Sequence, residues 1–200
     1  MRSDFIAYIE DIYISGGGIM FKLRGTFGKR VIGIAGGRAT AANVDEIFKK
    51  LASVDRKHET VSQIFDASRI AGKGHLLHGV RLALIAHATG KNFASSLNIE
   101  LACWVAGERQ INRAFEKVGI RKGNITAAIL TVGKTLLRTR HAQADILRGL
   151  QIKRDDGVIE LAPRKIAVLL KTFSIPKRGL DIADVQKLVL ERIALLSLQR

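Results

Sequence analysis

The chain has 200 residues, 47% of them hydrophobic, enough for one domain with a real core or one domain with a small appendage. Its 33 Lys and Arg against 18 Asp and Glu leave a net charge of +15, which points to a polyanionic partner, because each phosphate contact releases condensed counterions. The single cysteine, Cys103, excludes an internal disulfide; no run of about 20 apolar residues offers a membrane span, and Met1-Arg-Ser-Asp opens no signal peptide, so a cytoplasmic protein is expected.

Residues 5–14, rich in Ile and Tyr, are predicted to form a strand; Gly16-Gly17-Gly18 is a turn, and 19–24 pairs back as a hairpin. Val31-Ile-Gly-Ile34 reads as a short strand closed by Gly36-Gly37. A helix follows over 43–51 with Asn43 as its cap, then a strand over 62–67. The spacing predicts a longer helix over 73–88, ended by Gly90. Leu76, Leu77, Val80, Ala83, Leu84 and His87 share one of its faces, while Leu82 and Ile85 fall elsewhere with His75 and His78. A helix apolar on more than one side is either central in the fold or covered by a partner.

Further helices are expected from Ser95 to Ala106, stopped by Gly107, and over 110–118, stopped by Gly119. Residues 125–132 form a buried strand, 140–150 a basic helix, and Asp156-Gly157 a turn. Pro163 sits at the first turn of a helix over 164–173, and Asp181 opens a last helix running to about Leu198. The sum is a single α+β domain over 1–200, with roughly five to six helices packed around a small, mostly antiparallel sheet. The excess charge is uneven: residues 1–60 and 61–120 each carry +3, and 121–200 carries +9.

No catalytic constellation assembles. Val132-Gly-Lys-Thr135 resembles the end of a phosphate-binding loop, but position 128 is alanine where the opening glycine belongs, and the intervening residues are strand-like. Gly72-Lys-Gly74 reads either as a plain turn into a helix or as an anion site at a helix start. His75 and His78 have a spacing that metal sites use, yet no third ligand stands near in sequence; base stacking or core packing suits them better. Cys103 lies in an apolar run and reads as a core residue. Arg109 and Gln110 either contact phosphate and base edges or belong to an interhelical loop, with Arg109 paired to Glu108 or Glu100.

Ser96-Leu-Asn-Ile-Glu100, an apolar stretch to Gly107, and Arg109-Gln-Ile-Asn-Arg-Ala-Phe-Glu-Lys-Val-Gly-Ile120 together resemble the TPRKB family, the small kinase-binding subunits of KEOPS complexes. The likeness covers 61–132 well and the helices of 163–200 moderately; 1–60 is a strand-rich N-terminal part, and 134–162 reads as a basic insertion. The resemblance implies a non-catalytic subunit supporting threonylcarbamoyladenosine modification of tRNA. It implies two partners: the PRPK-type kinase, and through it the rest of KEOPS, and the single-stranded 3′ CCA end of tRNA. No cofactor, metal, membrane or small-molecule substrate is expected.

Residue type and position then nominate the contacts. Arg69, Lys73, Arg81, Lys91 and Arg109 are candidates for phosphate, His75, His78 and Phe93 for stacking, and Asn92 and Gln110 for base edges. Leu188, Ile193, Leu195 and Leu196 are candidates for the kinase, with core packing as the alternative for most of them. Two rival functions stand beside this one: a general RNA-binding or ribosome-associated module, and an enzyme acting on RNA or nucleotide, which needs clustered acidic or histidine groups in a pocket.

Overall fold

The computed structural model describes residues 8–15, 18–176 and 181–198. Strands β1 (Tyr8–Ser15), β2 (Gly18–Gly25) and β3 (Gly28–Ala41) run as an antiparallel meander. Helix α1 (Val44–His58) leads to β4 (Val61–Asp66), and helices α2 (Lys73–Ala88), α3 (Leu97–Ala106) and α4 (Ile111–Val118) lead to β5 (Gly123–Gly133). Helix α5 (Leu136–Gly149), the short strand β6 (Lys153–Arg154), and helices α6 (Pro163–Thr172) and α7 (Ile182–Ala194) complete the order. The strands lie in the order β1-β2-β3-β5-β4, every pairing antiparallel, with β6 added beside β3. The predicted α+β domain is therefore present, with seven helices among the described residues. The expected hairpin is β1–β2; residues 5–7 of its first strand and the Gly16-Gly17 part of its turn lie outside the described residues.

The sheet separates two cores because its central strands alternate. Ile64, Ala127 and Ile129 face Ile47 and Leu51 of α1 and Ile146 of α5. Phe65, Ala128 and Leu130 face the larger core, built with α2, α3, α4, α6 and α7. The chain is thus a three-layer stack: α1 and α5, then the sheet, then the remaining helices. Residues 134–162 are built into it, with α5 packed on β3, β5 and α1.

Helix ends follow their sequence signals. Asn43 accepts from the Asp45 N–H and Asp181 from the Asp184 N–H, Pro163 opens α6, and Gly107 takes a left-handed conformation after α3. Thr135 caps α5 by accepting from the Arg138 N–H, so Val132-Gly-Lys-Thr135 is a strand end and a helix cap. This cap starts α5 at Leu136, four residues before the expected 140.

One expectation fails on long-range packing. Gly36-Gly37 does not close a strand; β3 continues through both to Ala41. Neither has positive φ. A Cβ on Gly36 would stand 2.8 Å from the Asp155 carbonyl, and one on Gly37 2.6 Å from the Lys153 carbonyl and closer still to Ile152. The glycines are there because residues 152–159 cross directly over the strand.

Candidate nucleic-acid and partner interface

Helix α2 is the spine of the larger core. Of the expected face, Leu76, Val80, Ala83 and Leu84 are buried, Leu77 is partly buried and His87 is exposed; His75, Gly79 and Ala86 are buried on other sides. Gly79 admits α3: a Cβ there would lie 2.7 Å from Val105. The helix is therefore central, and toward its C-terminal end Leu82 and Ile85, partly buried like Leu77, reach a surface.

That surface is a cleft of about 510 Å³ lined by Arg81, Leu82, Ile85, Lys91, Phe93, Trp104, Arg109 and Leu196 among others. The Phe93 ring lies stacked on Trp104 with centroids 5.3 Å apart, and the Arg109 guanidinium lies over Phe93, 5.0 Å from its centroid. Arg81, Lys91 and Arg109 put three cations around an apolar floor. Among the described residues, nothing acidic lines the cleft.

Glu100, fully buried, holds this geometry from behind. One of its oxygens accepts the backbone N–H groups of Phe93 and Ala94, each at 2.8 Å; the other accepts the Trp104 indole N–H at 2.8 Å. The carboxylate thus ties the 90–96 loop, which carries Lys91 and Phe93, to α3. The sequence offered Glu100 only as a possible partner of Arg109; its place in the first turn of α3 suits the helix dipole and gives no sign of the three donors it accepts.

The nominated contacts divide. Arg81, Lys91, Phe93 and Arg109 converge on the cleft. His78 stands one turn before Arg81, with its Nδ1 3.4 Å from the guanidinium and its pKa lowered, chiefly by burial. Asn92 donates its side-chain amide to the Ala94 carbonyl, so it shapes the loop; Gln110 is exposed at the start of α4, beside Arg109 but off the cleft.

Arg69, Lys73 and His75 belong to the far end of α2. Lys73 pairs with Glu160, and Gly72 is buried with φ of 85°, so the helix start serves as a packed turn. Arg69 is taken up by Asp66 and the Lys117 carbonyl. His75 is a correction: it is fully buried, accepting from the Ala71 N–H at Nδ1 and donating from Nε2 to the Val105 carbonyl at 2.8 Å. With Phe173 also against its ring, it has no face for a base. Burial lowers its pKa to about 4, so it is the neutral imidazole that the two bonds require.

The kinase candidates divide too. Ile193 and Leu196 are core side chains, Ile193 packed against Gly107 and Leu196 forming part of the cleft floor. Leu188 is half-buried against the core. Leu195 is 46% exposed, and Leu198, beyond the nominated set, 73%. Cys103 is buried and its thiol is pushed up to about 11, first by burial, as suits a small core residue.

Among the described residues no group of three or more His, Cys, Asp or Glu stands close enough to hold a metal ion, and no helix is long and apolar enough to cross a membrane.

The profile of the family described as kinase binding protein CGI-121 matches residues 40–197. The regulatory protein Cgi121 of Methanocaldococcus jannaschii is 31% identical over 138 residues, which cover 69% of this chain and 84% of that protein.

Proposed function

The chain belongs to the CGI-121 family of kinase-binding proteins, and from that premise we propose that it is a non-catalytic subunit of a KEOPS-type complex that holds the 3′ CCA end of tRNA while docked on the kinase. The observation that carries the RNA half is the Arg109–Phe93–Trp104 stack, set beside Arg81 and Lys91 over an apolar floor. Splayed bases bind by stacking on aromatic rings and guanidinium planes, with cations taking the phosphates. A stacked base contributes roughly 1–3 kcal/mol, so two or three suffice for recruitment without extensive sequence reading.

The role asks for no catalysis from this chain. The modification proceeds on other subunits, and this one raises the local concentration of substrate. The exposed Leu195 and Leu198 at the C-terminal end of α7 offer the kinase an apolar foothold next to the cleft that Leu196 floors. RNA and kinase would then meet on adjoining surfaces of one helical layer.

The test compares whole tRNA with the same tRNA lacking its terminal CCA, at two salt concentrations. Trimming is expected to weaken binding by roughly tenfold or more, since at least one stacked base is lost. Equal binding to both, with equal salt dependence, favours the reading as a general RNA-binding module. For the kinase, Leu195→Asp is expected to abolish co-purification; retained co-purification would move the docking surface elsewhere.

A further inference from the structure

The cleft uses one face of the stack, yet a strongly basic stretch of the chain lies on the other. Between Lys134 and Arg154 there are six Lys and Arg and one acid, Asp145. Asp145 is already taken: it accepts from Lys57 and from His58, each at 2.8 Å, with Arg148 3.6 Å away. These contacts hold its carboxyl down to about 2, so it stays an anion serving α1 and α5. Arg138 pairs with Glu59, and Arg154 with Asp156. Lys134, Arg140 and Lys153 are exposed and have no ion-pair partner among the described residues. His141, also exposed, lies one residue from Arg140.

The helix orders these groups. Thr139, Ala142, Gln143 and Ile146 face the sheet, which turns Leu137, Arg140, His141 and Arg148 outward. Lys153 follows on β6, at the end of the same helix. The result is a cationic ridge about 21 Å long, from the 14 residues of α5 at 1.5 Å each. Leu137 is its single large exposed hydrophobic side chain, far short of the apolar stripe that an interfacial membrane helix requires.

The ridge and the cleft sit on opposite faces of the sheet, with helix axes roughly 20 Å apart at ordinary layer spacings. A strand of three nucleotides in the cleft cannot touch both. A folded RNA can. We propose that the outer face of α5 with β6 is a second RNA-binding surface, which takes the phosphate backbone of a structured part of the same tRNA whose single-stranded end enters the cleft. This rests on the RNA reading of the cleft for its choice of ligand. It divides the labour: the cleft recognises a free end by stacking, and the ridge, which has cations and few base-reading groups, recognises backbone charge.

The test uses the full chain with Lys134→Glu, Arg140→Glu and Lys153→Glu combined, a milder version with Gln at the same positions, and a control of equal charge change, Arg164→Glu, Lys171→Glu and Lys187→Glu, on the other helical layer. Two probes are titrated over a range of salt: whole tRNA and a short single-stranded RNA ending in CCA. The ridge variants are expected to lose roughly tenfold or more in affinity for whole tRNA and to reduce its salt slope by about 2 to 3, while binding the short RNA as the parent does. Unchanged tRNA affinity and slope in the ridge variants overturn the proposal, and so does an equal loss in the control, which would mean only a long-range field. If the parent fails to bind the short RNA but the ridge variants alone lose tRNA affinity, the ridge stands and the cleft reading falls. If the parent binds neither probe, both fall.

Discussion

A buried histidine and a buried glutamate set the geometry around α2, and neither needs solvent to do it. His75 joins the 71–72 turn to α3 through two hydrogen bonds, and the one that its Nδ1 accepts from the Ala71 N–H requires the neutral ring. Because its pKa is lowered to about 4 from 6.5, the unfolded chain takes up the proton first as pH falls. The stabilisation is therefore complete above pH 6.5 and is lost progressively down to pH 4, about 3 kcal/mol in all at about 1.4 kcal/mol per unit. His78, lowered too, acts in the same direction. Asp145, held down to about 2 from 3.8, loses its contribution only below that range. Urea unfolding measured from pH 7 to pH 4 is expected to show falling stability in the parent and a flatter profile in His75→Gln. A parent profile that is flat over this range would contradict the buried neutral imidazole. The sequence offered His75 as a core or stacking residue and could not choose, since the deciding partners, Val105 and Phe173, are 30 and 98 residues away. Glu100 was harder still, because its three donors come from a loop and an indole that only the fold brings to it.

At the scale of elements, local signals and distant packing separate clearly. Caps and stops at Asn43, Gly107, Pro163 and Asp181 are local chemistry, and the helices they bound were legible from composition and spacing. Gly36-Gly37 carries the same local signal as a turn, but its cause is the crossing of residues 152–159, far along the chain. Substitutions separate the two kinds of glycine. Gly37→Ala must displace β6 and Ile152, and is expected to cost about 2 kcal/mol or more. Gly149→Ala, at the end of α5 with nothing within 4 Å of a new Cβ, is expected to stabilise by about 0.5 kcal/mol. Chemical denaturation of both variants decides it; a neutral Gly37→Ala would mean that β6 is not packed on β3 as described.

At the scale of the whole molecule, the three layers give the protein two chemically different faces. One carries the apolar, aromatic and cationic cleft beside the exposed end of α7; the other carries the cationic ridge of α5. The net charge raises the expectation of a polyanionic partner, and the sequence named four of the side chains that converge on the cleft, Arg81, Lys91, Phe93 and Arg109. Trp104 was passed over as part of an apolar run, although it completes the stack. The extra apolar residues Leu82 and Ile85 on α2 were the available hint that this end of the helix has a surface task.

Trp104 also supplies the most direct test, because it is the only tryptophan in the chain and it lines the cleft. We would titrate a short single-stranded RNA ending in CCA into the protein and follow the Trp104 indole, by its fluorescence and by its N–H resonance. Occupation of the cleft predicts a saturable change in both signals, weakened by Phe93→Ala and absent with an RNA whose 3′ end is blocked by a duplex. RNA binding that saturates while the indole signals stay unchanged would contradict capture of the end in this cleft.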